Sequence, residues 1–159
     1  MYLNALEFLE EEREAWRPFE ALEALSDEQL GRSIDAAHDW SGRDVIGHIV
    51  AWLDDALAAA RELAVGTESE AIERSRRAFA ARGDEINAQI QAAWRELPMV
   101  EVRRRFRETP GELRGYLTVV PESRWLKHAD HLRFFHVYTI EHYEDHLADL
   151  DAILGAARA

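Results

Sequence analysis

The sequence contains no cysteine, which excludes a disulfide framework, a zinc site with thiolate ligands and a cysteine nucleophile. It also has no apolar run of the ~18 residues that a membrane-spanning helix needs. The N-terminal stretch MYLNALEFLEEERE carries charges where a secretory signal peptide has an apolar centre. We therefore expect a soluble protein of the cytoplasm.

Basic residues are scarce: 19 Lys and Arg oppose 31 Asp and Glu, and the formal net charge is -12. A protein with this charge repels phosphate backbones and anionic lipid surfaces, so we expect neither a nucleic acid nor a membrane as partner. Four arginines form the one dense basic run: Arg103, Arg104, Arg105 and Arg107. They either receive an anionic cosubstrate or balance neighbouring acidic residues on a solvent-facing helix.

Alternating strand patterns are missing, whereas Ala, Leu, Glu and Arg dominate the 159 residues. The sequence therefore predicts an all-α protein, and its length suits a single domain over residues 1–159. Apolar residues at helical spacing, together with capping signals such as Ser26 with Gln29 and Ser41 with Asp44, predict four long helices and a helical connector between the second and third. The long helices are expected at about 3–25, 41–65, 99–120 and 130–154, and the connector at about 67–96.

Glycine and proline mark the expected interruptions. Gly66 and Gly155 are predicted to end the second and fourth long helices, and Gly83 to interrupt the connector, whose predicted cap is Thr67. Pro110 is predicted to kink or divide the third long helix, with the preceding threonine as a new cap. Four amphipathic helices with polar connections indicate an antiparallel four-helix bundle, whose interior is a common place for metal and ligand sites.

Two histidines stand four residues apart in the stretch EHYEDH at 141–146. At 100° per residue, His142 and His146 are about 40° apart and share the edge of a core-facing stripe, and Asp149 lies beside them as an available hydrogen-bond partner. His48 holds the same kind of edge position on the second long helix. If these two helices pack together, three imidazoles converge and leave one coordination position open, as in catalytic zinc sites.

A second interpretation of the histidines needs no metal. A chain with seven histidines can place two at i and i+4 by chance, and a partly buried imidazole is commonly satisfied by a carboxylate or a carbonyl. The pair also lacks the adjacent glutamate of the H-E-x-x-H motif, because Tyr143 follows His142. The other four are expected to be structural or solvated: His38, His128, His131 and His136.

Polar and aromatic side chains flank the three histidines at helical spacing. Asp44 and Tyr138 each lie one turn before a proposed ligand and are the predicted candidates for general base or substrate orientation. Trp52, one turn beyond the histidine of the second helix, is predicted to line a substrate pocket with Asp55 and Asp145. Each of these five also fits an ordinary core or helix-edge position.

Three stretches of the chain resemble the DinB-like superfamily of four-helix bundles, which includes thiol-dependent transferases and isomerases. They read WSGRDVIGHIVAWLDD at 40–55, INAQIQAAWRELPMVEVRRRF at 86–106 and YTIEHYEDHLADL at 138–150. In that superfamily, one histidine of the second helix and an H-x-x-x-H pair of the fourth bind a divalent metal. The resemblance implies the same role for His48, His142 and His146.

Three functional hypotheses follow. The first is a metal-dependent enzyme for a small molecule, with Zn²⁺ preferred and Ni²⁺, Fe²⁺ and Mn²⁺ as alternatives, because imidazole ligands discriminate weakly among these ions. It would be a hydrolase that activates water, or a transferase or isomerase that activates a low-molecular-weight thiol cosubstrate. The second is a non-catalytic small-molecule binding or self-protection module. The third is a scaffold that forms a homodimer through an apolar face.

Overall fold

In the computed structural model, which describes residues 1–159, the chain is helical and has no β-strand. The predicted all-α class is confirmed. In chain order the α-helices are α1 (Ala5–Trp16), α2 (Asp27–Gly31), α3 (Gly42–Val65), α4 (Glu70–Arg95), α5 (Met99–Val119), α6 (Ala129–His136), α7 (His142–Asp145) and α8 (Leu147–Arg158). None of them is both long and apolar enough to cross a membrane.

Helix α3 lies at the centre of the fold, where it packs along α4 and α5 and also contacts α8. It begins at the predicted capping box: the Ser41 hydroxyl accepts the backbone N–H of Asp44, and the Asp44 carboxylate accepts the N–H of Ser41. It ends before Gly66, as predicted. Because most of its residues are buried, α3 is a rigid support for the histidine that it carries.

Two helices that contain proline differ from the prediction, the first at Pro18 and α5 at Pro110. The first helix does not reach residue 25 as α-helix; it becomes a 3₁₀ segment at Arg17–Ala24. Pro18 lacks the N–H that an α-helical hydrogen bond needs at that point. Pro110, in contrast, lies inside an uninterrupted α5, and Thr109 caps no new helix. The Pro110 ring is buried, and this packing offsets the missing hydrogen bond.

The connector forms one kinked helix, α4. Its N-cap is Ser69, whose hydroxyl accepts the N–H of Ile72; the predicted cap was Thr67. Arg82 has non-helical backbone angles, φ -150° and ψ 41°. The interruption therefore falls at the residue before Gly83, and α4 continues beyond it.

The last predicted helix, 130–154, is divided. A π-helical turn, Val137–Glu141, joins α6 to α7. The Thr139 hydroxyl donates to the Phe135 carbonyl oxygen at 2.6 Å, and a side chain that bonds the i-4 carbonyl competes with the α-helical backbone ladder. His146 then leaves the helical region, with φ -105° and ψ 7°, before α8 begins. Gly155 lies within α8 and does not end it.

A buried polar network joins α1, α5 and α7. Glu12 is 1% exposed, and its carboxylate accepts hydrogen bonds from Arg114 at 2.5 Å and from the Tyr143 hydroxyl at 2.8 Å. Burial and the Glu12 charge raise the pKa of Tyr143 well above its usual value, so its hydroxyl remains a donor. Because Tyr143 follows His142 in the chain, this network fixes the position of α7.

Replacing Glu12 by alanine is expected to lower the free energy of unfolding by about 3 kcal/mol, because the guanidinium of Arg114 loses its buried counter-ion. The control is Glu112→Ala. Glu112 pairs with Arg61 at 3.1 Å on the surface, where both side chains are about half exposed, so its loss should cost less than about 1 kcal/mol. Urea unfolding followed by circular dichroism measures both values. Equal losses in the two variants would contradict a special role for the buried network.

Helices α3 and α4 approach closely at Gly47. A Cβ atom added there would lie 2.7 Å from Cγ and 2.8 Å from Cβ of Trp94. Such distances are far below van der Waals contact, and these two atoms cannot move without a shift of the Trp94 backbone or ring. Only glycine allows this approach.

Gly47→Ala is therefore expected to destabilise the protein by about 1–3 kcal/mol, the usual cost of overpacking. Gly115 on α5 is the matched control, since a Cβ there meets nothing within 4 Å. Gly115→Ala should stabilise the helix by up to about 1 kcal/mol through alanine's higher helix propensity. Thermal and urea unfolding of the two variants should shift in opposite directions, and a stabilising Gly47→Ala would refute the close contact.

Candidate metal centre

Three imidazoles meet inside the protein: His48 from α3, His142 from the start of α7, and His146 between α7 and α8. We call them the triad. Their candidate ligand nitrogens lie within 4.8 Å of one another, and the His48 and His142 Nε2 atoms are 2.8 Å apart. The convergence predicted from helical geometry is present, and the triad could hold a metal ion.

Burial sets the protonation state of two of these rings. Burial and the neighbouring His146 lower the pKa of His48 to about 3. Burial, with His48 and His146 as further causes, lowers the pKa of His142 to about 2. Both rings are therefore neutral at neutral pH, which is the form that offers a lone pair to a metal ion. With no metal bound, one Nε2–H donates to the other Nε2.

The hydrogen bonds of the Nδ1 atoms show how well the triad fits a metal ion. His146 Nδ1 lies 3.0 Å from Asp149 Oδ2, so the carboxylate can hold the Nδ1 proton and leave Nε2 free as a ligand. The Nδ1 atoms of His48 and His142 are buried and have no hydrogen-bond partner. One ring of the triad thus has the outer hydrogen bond that metal-bound histidines usually make, and two do not.

Two tryptophans cover the triad. The ring of Trp52 stacks on His142, with centroids 3.9 Å apart and planes at 25°. The ring of Trp40 stacks on His146, with centroids 5.8 Å apart and planes at 16°. These indoles reduce the contact of the imidazoles with water, which strengthens electrostatic interactions within the site.

The sequence pattern points to Trp52 but not to Trp40, because Trp40 precedes α3 and helical spacing says nothing about its position. It is placed by the loop at 34–40, whose ends are joined by a hydrogen bond from Ile34 N–H to the Trp40 carbonyl at 3.0 Å. The same loop brings His38 Nε2 to 3.8 Å from Asp149 Oδ1. His38 and Asp39 both have positive φ, 58° and 63°, a conformation that costs energy outside glycine.

Comparisons of the chain with protein-family models, curated proteins and solved structures find no match. Its function must be argued from its own residues.

Asp44, a predicted general base, has both carboxylate oxygens engaged. Arg95 donates from Nε and Nη2 at 3.0 Å each, and Ser41 donates its backbone N–H. Burial alone would raise the pKa of Asp44, but the hydrogen bonds from Arg95 and Ser41 outweigh it and lower the pKa. An ionised carboxylate held by a guanidinium is a weak proton acceptor, so this arrangement favours a capping and ion-pair role.

Three other predicted site residues, Trp52, Asp55 and Tyr138, line one cavity of about 160 Å³. The rest of its wall comes from the two halves of α4: Arg74, Ser75, Ala78, Phe79, Ile86 and Ile90. Trp52 borders both this cavity and the triad, since its ring also stacks on His142. Asp145 is exposed on α7 and does not line the cavity. The α4 residues were not predicted, because the expected break at Gly83 does not show which neighbours the two halves of α4 meet.

Each arginine of the basic run lies within 4 Å of an acidic side chain. This agrees with the alternative in which the run balances neighbouring acidic residues. The pairs are Arg103 with Asp27, Arg104 with Glu101 and Glu108, Arg105 with Glu101, and Arg107 with Glu23. No arginine of this run lines the cavity beside the triad.

Acid is expected to destabilise the metal-free protein through His48 and His142. In the unfolded chain His48 and His142 take up a proton near pH 6.5, whereas in the folded protein their pKa values lie at about 3 and about 2. Since the folded pKa is the lower one, stability is fully present above about pH 6.5 and is lost as the pH falls below it. Each ring should cost about 1.4 kcal/mol per pH unit in that window.

The measurement is the free energy of unfolding by urea at a series of pH values from neutral to mildly acidic. His142→Asn removes one titrating ring, so its slope of stability against pH should be shallower than that of wild type by about one proton. An unchanged slope would show that His142 does not stay neutral in the folded protein.

Proposed function

We propose that the chain is a metal-dependent enzyme of the DinB-like type. In this proposal α1, α3, α5 and the α6–α8 segment are the four rods of an antiparallel bundle, α4 is the added connector, and residues 1–159 form one domain. Support comes from the packing of α3 along α5 and against α8, and from the position of the triad between α3 and the C-terminal segment. Bundle interiors commonly hold metal sites built from facing helices.

The observation that carries the proposal is the convergence of three imidazoles, whose candidate ligand nitrogens lie within 4.8 Å of one another. Two of these rings are buried and neutral. Three imidazoles with an open fourth position suit a catalytic Zn²⁺ site, and Ni²⁺, Fe²⁺ and Mn²⁺ are the alternatives. A cation bound there would supply Lewis acidity to activate water, for hydrolysis, or a small thiol, for transfer or isomerisation.

Other residues of the site would orient a ligand histidine, reduce contact with water and orient the substrate. Asp149 holds the His146 tautomer, and Trp40 and Trp52 cover the ring faces of His146 and His142 and reduce their contact with water. Burial, then the charge of Asp55, raises the pKa of Tyr138. Its hydroxyl therefore stays protonated and can donate a hydrogen bond to a substrate, which favours orientation over base catalysis. A thiol cosubstrate must come from solution, because the chain has no cysteine.

The competing function is a non-catalytic binding or self-protection module of the same fold. Two observations favour it. His48 and His142 can satisfy one another through the 2.8 Å contact of their Nε2 atoms, without a metal. The unpartnered Nδ1 atoms of these two rings point the same way, since metal-bound histidines usually have an outer partner. Metal binding discriminates between the two functions.

Protein purified without a histidine tag is expected to bind about one equivalent of Zn²⁺ in calorimetry, with bound metal verified by elemental mass spectrometry. His142→Ala should weaken this affinity by at least about 100-fold, because it removes a ligand rather than an outer partner. His131→Ala is the matched control: His131 is also buried, but its Nδ1 contacts the Arg124 carbonyl oxygen at 2.6 Å, and its loss should leave Zn²⁺ affinity unchanged. If wild type binds none of the four ions, the binding module becomes the better proposal.

A further inference from the structure

The cavity beside the triad has aromatic walls. The Trp52 ring meets Phe79 nearly at a right angle, with centroids 4.7 Å apart and planes at 78°, and it meets Tyr138 at the same distance with planes at 36°. The volume, about 160 Å³, is smaller than the ~300 Å³ at which pockets for drug-sized ligands begin. The Trp52 ring contacts both of the others, so the three rings form one continuous aromatic wall, and the cavity suits a head group of a few atoms against that wall.

One carboxylate on this wall has no partner. Asp55 is partly buried, makes no hydrogen bond, and lies beyond salt-bridge distance of any basic group. Burial, against the opposing effect of the Arg74 charge, raises its pKa. A partly desolvated carboxylate without a counter-charge is costly, and a ligand that brings a positive charge removes this cost.

We infer that this cavity binds a small organic cation of the ammonium type, with its charge against Asp55 and its alkyl groups against the rings of Trp52, Phe79 and Tyr138. Aromatic rings attract ammonium groups through their negative faces, and such rings around a site are the recognised means of holding quaternary ammonium ligands. The net charge of -12 adds a field that concentrates cations near the protein.

Arg74 does not make the cavity an anion site. Its side chain is exposed, so solvent and salt screen its charge, whereas Asp55 is more deeply placed in the same wall. An anion in the cavity would meet the Asp55 carboxylate in the same wall.

The cavity also shares Trp52 with the triad, since one face of that indole stacks on His142. A ligand in the cavity therefore lies next to the proposed metal centre. That the bound cation is also the substrate of the enzyme rests on the proposed function, but the binding of a cation does not depend on it.

Calorimetry of the full-length, metal-free protein with three probes of similar shape tests the binding. The probes are choline, the neutral 3,3-dimethyl-1-butanol and the anionic 3,3-dimethylbutyrate, at matched ionic strength. Choline is expected to bind at millimolar concentration or below, at least about tenfold more tightly than the alcohol, because only choline gains the ion pair and the cation–π contacts. The anion should bind no more tightly than the alcohol.

Two neighbouring carboxylates provide matched variants. Asp55→Asn should weaken choline binding by at least about tenfold and leave binding of the alcohol nearly unchanged. Asp54→Asn removes the same charge from the adjacent residue, which does not line the cavity, and should have little effect.

Absence of choline binding, equal affinities for choline and the alcohol, tighter binding of the anion, or equal effects of the two variants would each overturn the inference. The probe comparison uses wild type alone, so it remains decisive if a variant fails to fold. Because all titrations use metal-free protein, a failure of metal binding leaves their result unaffected, and the two proposals fail separately.

Discussion

The contact between His48 and His142 joins the central helix to the C-terminal segment across 94 residues of sequence. Two imidazole nitrogens at 2.8 Å must share either a proton or a cation, since two lone pairs facing each other would repel. Burial makes protonation of both rings unfavourable, as their lowered pKa values indicate. This contact lies in the interior with His146 beside it, and the three rings together could hold a metal ion.

The elements around the triad are those that depart from regular helix. The π-helical turn Val137–Glu141 precedes His142, and the non-helical backbone at His146 follows α7. Such interruptions weaken the backbone ladder, yet the buried network of Glu12 with Tyr143 fixes α7 in place. Tertiary contacts thus stabilise a local conformation that helix propensity alone would not select. Trp52 links the triad to the neighbouring cavity, because its indole stacks on His142 and also lines the cavity.

Two features set by neighbours in sequence were predicted correctly. The capping boxes at Ser26 and Ser41 formed as expected, since each needs only residues three positions apart. The effects of proline were not, because they depend on surroundings: Pro18 stands where α1 gives way to a 3₁₀ segment, while the buried Pro110 is accommodated in α5. The kink at Arg82 falls one residue before the predicted break at Gly83. The sequence did not show which neighbours the two halves of α4 meet, so the α4 wall of the cavity was missed, as was Trp40 at the end of the loop at 34–40.

At the candidate metal centre, too, some features follow from local sequence and others from packing. The sequence alone determined that His142 and His146 lie on one side of their segment, because residues four apart are neighbours on any helical turn. It also determined that His48 sits at the edge of a core-facing stripe. Only the tertiary structure decided that these rings meet, which neighbours cover them and that a cavity lies beside them. Periodicity within a helix comes from backbone geometry, whereas convergence between helices comes from packing of side chains distant in sequence.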